Sequence, residues 1–352
     1  MKVVLICPSN MLVMPYVTNY VDILKSSKAD YTIINWDRLC LENESEFTFR
    51  DGKKGLQRSF SDYCRYSKFI TAHLNKIQYD KVVVFGLQLS FFLSALLQNR
   101  FAGNYILDVR DRNKIINFLN LKKIIKNSSF VVISSNGYKK WMPPSDKYII
   151  NHNTRISSIE EIKPANSIDI NKPIHIGYIG APRDYRINAK LIKALIDSKR
   201  IKLFFHGAGV INDRIETLIG ANNVKNVFQT GKYEKDQEEK LYMNEDLINV
   251  LRYNDSINNS TALPNRIYTS AIYGKLLLAF KGTYLAEVVK EYGLGLVLES
   301  FKDAEDQIFN YIKEFNISNF DEGRKRFLLN VINENTTFKH CVTDFIGNAK
   351  QS

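Results

Sequence analysis

The chain has 352 residues, of which 45% are hydrophobic and 24% are charged, so it is long enough for two α/β domains and too apolar for a disordered chain. Its formal net charge of +12 is compatible with a solvated basic face or with an anionic partner, which could be nucleic acid, lipid head groups or a phosphate-bearing substrate. The basic residues are spread along the chain without a nucleic-acid recognition motif, so we expect no nucleic-acid partner.

The N-terminal segment Met1–Pro8 holds one lysine followed by five apolar residues, which is too short for a signal-peptide core and typical of a buried strand. No apolar stretch approaches the ~20 residues that a membrane helix needs. The four cysteines lie apart, without a Cys-x-x-Cys pair or a histidine at metal-ligand spacing. We therefore expect a cytoplasmic protein with neither a disulfide framework nor a zinc site.

The first half alternates short apolar runs with amphipathic stretches of helical length, a pattern typical of parallel strands joined by crossover helices. Strands are predicted at Val3–Cys7, Tyr31–Asn35, Lys81–Phe85, Tyr105–Val109, Phe130–Ser134 and Lys147–Asn151. Helices are predicted at Tyr16–Ser26, Tyr63–Ile77, Leu89–Phe101 and Arg112–Asn127.

A polar stretch from about Arg155 to Lys172 predicts a linker, after which the alternation restarts. Strands are predicted at Ile174–Ile179, Lys202–His206, Asn226–Gln229, Leu247–Leu251, Lys275–Phe280 and Gly295–Leu298. Helices are predicted at Asn188–Ser198, Asn212–Ile219, Asn265–Tyr273 and Tyr284–Glu291, with further tail helices at Asp303–Phe315, Asp321–Asn333 and Lys339–Ala349.

This pattern predicts an α/β protein with two Rossmann-like, doubly wound domains that face a cleft, followed by a helical C-terminal tail. We expect the first domain at residues 1–154, the linker at 155–172 and the second domain at 173–330. The tail, 331–352, is expected to pack back on the first domain.

The most informative local motif runs from Pro264 to Gly274. Pro264 precedes a predicted helix, so the backbone N–H groups of Asn265, Arg266 and Ile267 lie at its positively polarised end. Arg266 adds a full positive charge, and together these groups form a candidate diphosphate site. The alternative is an ordinary helix start with a surface arginine.

The motif Leu-Pro-Asn-Arg-Ile-Tyr, followed by small residues and Gly274-Lys275, resembles the donor-site segment of GT-B glycosyltransferases. The resemblance is to the family 4-like enzymes of bacterial capsule and O-antigen assembly. His206–Gly209 resembles the Gly-x-Gly after the second donor-domain strand, and Val227–Tyr233 resembles the segment that holds the nucleobase. The resemblance implies nucleobase or ribose contacts from Gly207, Lys232 and Tyr233, although Tyr233 could equally be an ordinary core or surface tyrosine.

Two departures from that family pattern bear on the chemistry. Many family 4 enzymes carry two glutamates eight positions apart, where this chain has Thr261 and Thr269. The glycine pair after the first strand is replaced by Pro8-Ser9-Asn10-Met11. The donor is therefore expected to be held by hydroxyl and backbone groups, Thr269 included, and a retaining outcome does not follow.

The leaving nucleoside diphosphate develops negative charge, which the resemblance implies is offset without a metal or other cofactor. Gly180, Arg183 and Arg186, in and after the loop of the first donor-domain strand, are the candidate phosphate residues beside Arg266. No Asp-x-Asp triplet occurs to suggest a metal-dependent alternative. Both loop arginines could equally be solvated charges at a helix start.

On the acceptor side, Asp108 and Asp111 lie at the carboxyl end of a predicted strand, where a general base is useful if the reaction inverts. Asp111 is the preferred candidate, although either residue could instead cap the next helix. His152 and His206 are expected to be structural.

The resulting hypothesis is transfer of a sugar from a nucleotide-sugar, by expectation a UDP-sugar, to a lipid-linked oligosaccharide in bacterial surface-polysaccharide synthesis. The basic balance adds the expectation of a peripheral position on the anionic inner face of the plasma membrane. Two alternatives stay open: a non-hydrolysing nucleotide-sugar epimerase, and a catalytically degenerate nucleotide- or glycan-binding protein.

Overall fold

A computed structural model describes residues 1–347 of the chain. Its internal contacts divide the chain into two compact units. The first unit comprises Met1–Asn153 together with the chain from Asn333 on, and the second comprises Thr154–Ile332.

Within the described residues, the first unit contains a seven-stranded parallel sheet in the order β3-β2-β1-β4-β5-β6-β7. Its strands are β1 (Lys2–Cys7), β2 (Asp30–Trp36), β3 (Thr48–Phe49), β4 (Lys81–Phe85), β5 (Tyr105–Val109), β6 (Phe130–Ile133) and β7 (Tyr148–Ile150). Its helices are α1 (Val17–Ser26), α2 (Phe60–Lys76), α3 (Leu87–Phe92), α4 (Ser94–Asn99) and α5 (Leu121–Asn127).

Strands β4 and β5 are buried along their whole length, because helices cover both faces of a parallel sheet. The six predicted strands of this unit are present, and the two-residue β3 is an addition. Two predicted helices are interrupted. Leu89–Phe101 divides between α3 and α4, and Arg112–Asn127 consists of a 3₁₀ turn at Lys114–Asn117 followed by α5.

In residues 1–347, the second unit contains a six-stranded parallel sheet in the order β10-β9-β8-β11-β12-β13. Its strands are β8 (Ile174–Ile179), β9 (Ile201–His206), β10 (Val227–Gly231), β11 (Leu247–Asn249), β12 (Leu276–Phe280) and β13 (Gly295–Leu298). Its helices are α6 (Tyr185–Ala194), α7 (Asn212–Ala221), α8 (Glu238–Asn244), α9 (Ile257–Thr261), α10 (Asn265–Ile272), α11 (Tyr284–Glu291) and α12 (Ala304–Lys313).

The helix before β9 is shifted from its predicted position at Asn188–Ser198. Helix α6 begins at Tyr185 because Asp184, in the left-handed conformation, ends the preceding loop. Helices α8 and α9 are additions to the sequence-based prediction, since their short polar sequences carry little periodicity. The predicted linker contains a 3₁₀ turn at Ile159–Glu161 and packs Ile156 into a core of the second unit.

The C-terminal segment forms one helix, α13 (Ile317–Gly347), where the sequence predicts two. The predicted end at Ala349 lies outside the described residues. In the first unit, four residues of α13 share a core with β1 and α1: Phe338, Val342, Phe345 and Ile346. Among the described residues, no helix is both long enough and apolar enough to cross a membrane. The predicted fold class, two parallel α/β sheets with a helical C-terminus, is confirmed.

Candidate functional site

The order of the strands in the second sheet reverses between β8 and β11. These two strands are neighbours in the sheet, although β9 and β10 lie between them in sequence. Ligands of doubly wound sheets bind outside the carboxyl ends of the strands at such a switch point. The segments that leave β8 and β11, together with the nearby start of α10, therefore form the candidate site.

The loops after β8 and β9 lie in direct backbone contact. The Gly180 N–H donates to the His206 carbonyl oxygen at 3.1 Å. A Cβ at Gly207 would collide with the Gly180 carbonyl oxygen, and Gly207 also has a φ of +117°. Only glycine satisfies both conditions, so the approach of these two loops depends on Gly207.

Helix α10 begins without a side-chain cap, because its N-cap residue is Pro264. The first N–H groups of a helix lack partners within the helix, which leaves this end polarised toward an anion. The Ile267 N–H nevertheless donates to the Pro264 oxygen at 3.1 Å. The Ile267 N–H is therefore engaged within the helix start, and Asn265 and Arg266 stay predicted phosphate-binding residues.

The Arg266 side chain is held at the end of β8. Its guanidinium carbon lies 3.6 Å from the centre of the Tyr178 ring, and Nη1 lies 3.5 Å from the Ile179 carbonyl oxygen. Stacking on an aromatic face restrains a guanidinium without neutralising its charge. The predicted phosphate residue Arg266 is thus placed beside the loop that contains Gly180.

Arg252 is a further residue of the site, which the sequence reasoning missed. It follows β11 and is 2% exposed. Its Nη1 donates to the Ala262 oxygen at 3.3 Å, whereas Nε and Nη2 have no partner. Burial first, and then the charges of Arg183 and Arg266, lower the pKa of Arg252 to about 10. Its position just after the predicted strand Leu247–Leu251 was the signal that could have indicated it.

Two buried asparagines connect the loops on either side of the switch point. Asn188 Nδ2 donates to the carbonyl oxygens of Arg183 and Asp184 at 2.9 and 3.1 Å. Asn249 Nδ2 donates to Asn188 Oδ1 at 2.9 Å, and the Leu251 N–H donates to Asn249 Oδ1 at 3.0 Å. This relay fixes the backbone that carries Arg183 and the backbone that leads to Arg252.

The other predicted donor residues make surface contacts. Arg183 lies 3.7 Å from Asp184, Arg186 lies 3.8 Å from Asp255 and Lys232 lies 3.4 Å from Glu234, with all three cations more than half exposed. Exposed ion pairs of this kind contribute little to stability, so these side chains can leave their present partners and bind a ligand with little loss of free energy. The Thr269 hydroxyl lies 3.4 Å from the Asn265 oxygen within α10.

Tyr233, the candidate nucleobase contact, lies beside the glycine loops. A Cβ at Gly207 would be 3.5 Å from its ring. Burial, followed by the nearby Glu238, raises the pKa of Tyr233 to about 12, so its hydroxyl keeps its proton near neutral pH. His206 is buried, with Nδ1 2.8 Å from the Thr230 hydroxyl and Nε2 3.0 Å from Glu245 Oε1.

The two candidate acceptor-side carboxylates of the first unit have different surroundings. Asp108 is fully buried; Arg110 donates to it through Nε at 2.6 Å and Nη2 at 2.8 Å, and the Tyr20 hydroxyl donates at 2.7 Å. Asp111, three residues further on, is exposed. The closed contacts of Asp108 fit a structural ion pair.

The loop after β1 shows what replaces the glycine pair. Asn10 is fully buried, its Nδ2 lies 2.5 Å from Asp37 Oδ1, and its Oδ1 accepts from the Leu39 N–H at 3.1 Å. A side chain therefore closes this loop against the end of β2. Nowhere in residues 1–347 do three or more His, Cys, Asp or Glu residues gather as metal ligands would.

No protein-family model and no curated protein sequence matches this chain. Solved structures do match its fold. Sucrose-phosphate synthase from Thermosynechococcus elongatus is 12% identical, with 99% of this chain and 97% of that chain covered and a TM-score of 0.66. A glycosyltransferase from Rickettsia africae ESF-5 is 14% identical, with 99% of both chains covered and a TM-score of 0.65.

HepE from Anabaena, solved in complex with UDP and glucose, is 11% identical, with 98% of this chain and 100% of that chain covered and a TM-score of 0.63. At these identities the similarity establishes the fold and not the activity. The chain has the two-domain α/β architecture of the GT-B type.

Proposed function

We propose that this chain, with its GT-B fold, is a glycosyltransferase that uses a nucleotide-sugar, by preference a UDP-sugar, as donor. The diphosphate is assigned to the carboxyl ends of β8 and β11, between the loop at Gly180 and the start of α10. The observation that carries the proposal is the group of three arginines there, Arg183, Arg252 and Arg266, with Arg252 buried and incompletely paired.

The chemistry of glycosyl transfer explains why such a group is useful. The bond from the sugar to the diphosphate breaks, and negative charge accumulates on the departing phosphate. Guanidinium groups and a helix start that are already in place stabilise this charge without reorganisation. We assign this role to Arg266 and the start of α10. The exposed Arg183 and Arg186 would contact the diphosphate once the donor is bound.

The acceptor is assigned to the first unit. We propose Asp111 as the group that accepts the proton of the attacking hydroxyl, because it is exposed while Asp108 is sealed by Arg110 and Tyr20. The proposed acceptor is a lipid-linked oligosaccharide of surface-polysaccharide synthesis.

The first unit also carries a surface suited to anionic lipid. Phe118 is 76% exposed, and the exposed Lys114, Lys122 and Lys123 lie near it in sequence. An exposed aromatic ring flanked by lysines is the composition that binds the interface of an anionic membrane. We propose that these residues, called here the Phe118 surface, bind the membrane that holds the acceptor.

Thermal unfolding with a panel of UDP- and GDP-sugars, free nucleotides and uridine tests the proposal. A ligand at 100 times its Kd adds about 2.7 kcal/mol to the free energy of unfolding, which raises Tm by several degrees. We expect this shift with at least one diphosphate ligand and none with uridine, which lacks the phosphates. A flat response to the whole panel contradicts the proposal.

The same preparations separate the alternatives. Conversion of a UDP-sugar to its epimer without acceptor identifies an epimerase. Tight nucleotide binding without turnover on any lipid-linked extract identifies a degenerate binding protein, the alternative suggested by Thr261 and Thr269 at the usual glutamate positions. The Thr261 hydroxyl is already engaged with the Ile257 oxygen at 2.7 Å.

A further inference from the structure

Arg252 is one of the most deeply buried charged residues of the second unit, and most of its hydrogen-bond donors are unused. It is 2% exposed, and only Nη1 has a partner, the Ala262 oxygen at 3.3 Å. Its Nε and Nη2 have none. These two nitrogens lie on one edge of the guanidinium plane, the edge that donates two parallel hydrogen bonds to a carboxylate or phosphate.

The charges around Arg252 do not complete this edge. Arg183 and Arg266 are the two nearby cations that oppose its charge, and Asp184 is the carboxylate that supports it. Asp184 is already engaged by Asn259 Nδ2 at 3.3 Å and by Arg183 at 3.7 Å. A buried cation without a directly paired opposite charge is unfavourable, so the ligand that would complete this edge of Arg252 is an anion.

Arg324, the other deeply buried arginine of this unit, shows the contrasting case. It is 1% exposed, its Nε donates to Asp321 at 2.9 Å and its Nη1 donates to the Ala271 oxygen at 2.9 Å; Nη2 also donates to Asp321. Each edge of this guanidinium has a protein partner. Both arginines are buried, but only Arg324 has a protein partner for every nitrogen of its guanidinium.

We propose that Arg252 is a donor-binding residue that binds two oxygens of an anionic group on the donor through Nε and Nη2. This inference rests on the proposed donor site, at the switch point between β8 and β11. Two parts of a donor present such oxygens: the phosphate next to the sugar, and a carboxylate on an acidic sugar such as a uronic acid.

Calorimetric titration of the full chain with UDP, UDP-glucose and UDP-glucuronate distinguishes these sources. The variants are Arg252→Met, which removes the charge at similar volume, and Arg252→Lys, which keeps the charge without the two-donor edge. If the phosphate is bound, Arg252→Met weakens all three ligands about 10- to 100-fold, and Arg252→Lys recovers only part of the loss. If the sugar carboxylate is bound, UDP-glucuronate alone is weakened by this factor.

Thermal unfolding without ligand adds a readout that a purely structural arginine would not give. Arg252→Met is expected to raise Tm, because it removes an incompletely paired buried charge, while the matched control Arg324→Met lowers Tm by several degrees. A lower Tm for Arg252→Met with unchanged affinity for all three ligands overturns the inference and leaves the donor proposal intact. Failure of the wild-type protein to bind any of the ligands overturns both.

Discussion

At the scale of single residues, the contacts of Arg266 lead to a direct test. Its guanidinium stacks on Tyr178 and reaches the Ile179 oxygen, so its charge is positioned before any ligand arrives. We predict that Arg266→Ala lowers kcat/KM about 10²–10³-fold, the typical loss for one preorganised donor at a developing charge. Steady-state kinetics with the UDP-sugar identified by the ligand panel provide the measurement.

Arg326 supplies a matched control for that prediction. It also lies over a tyrosine, 5.3 Å from the centre of the Tyr292 ring, and donates to one backbone oxygen, that of Glu291, at 3.0 Å. Arg326→Ala should leave kcat/KM unchanged. Equal effects of the two substitutions, or none from Arg266→Ala, would remove Arg266 from the donor site.

Asp108 and Asp111 are expected to respond to substitution in opposite ways. Asp111→Asn should lower kcat about 10²–10⁴-fold with little change in the urea midpoint, because Asp111 is exposed and a near-isosteric change at the surface disturbs little packing. Asp108→Asn should instead destabilise the first unit by roughly 3–5 kcal/mol, since it leaves Arg110 buried beside a neutral group. Kinetics and urea denaturation of both variants test this, and unchanged turnover in Asp111→Asn contradicts the assignment of the base.

At the scale of elements, the proposed donor site depends on how closely the loops after β8 and β9 approach each other. We predict that Gly207→Ala lowers the free energy of unfolding and weakens nucleotide binding, because its methyl group would meet the Gly180 oxygen and its φ is positive. Gly220→Ala is the control. Gly220 lies in α7, and a methyl group added there would have no atom within 4 Å, so alanine should add about 0.5–1 kcal/mol to the free energy of unfolding.

Chemical denaturation and UDP titration of these two variants give the comparison. The prediction for the loops is wrong if Gly207→Ala is as stable as the wild type and binds UDP equally well. In that case the two loops can move apart far enough to accept a methyl group at Gly207, despite its close approach to the Gly180 oxygen.

At the scale of the whole molecule, the net charge of +12 has a testable consequence together with the Phe118 surface. Vesicles that contain anionic lipid should sediment the protein at low salt, and vesicles of neutral lipid should not. Phe118→Ser should reduce the bound fraction, because it removes an exposed ring that can enter the interface. Val210→Ser, at a position 87% exposed in the second unit, should not change it. Binding that is equal in both variants, or indifferent to salt, contradicts the membrane proposal.

Much of the architecture could be predicted from sequence because its signals are local. The apolar run Lys81–Phe85 and the amphipathic stretch Tyr284–Glu291 have the length and periodicity of their elements, and their predicted bounds match the structure. The errors occurred where local signals are weak. β3 has only two residues, α8 and α9 are short and polar, and the polar turn of α13 around Asn335 suggested a break.

The residues of the proposed donor site also fall into two groups: those indicated by local sequence and those found only in the folded chain. Consecutive residues were enough to indicate the α10 start with Arg266 and the glycines at positions 180 and 207, because helix starts and tight loops are encoded locally. The unpaired edge of Arg252 and the relay between Asn188 and Asn249, which are 61 positions apart, became visible only in the folded chain. Whether a buried polar group is satisfied depends on partners that folding brings from distant parts of the chain, so no local pattern could have revealed it.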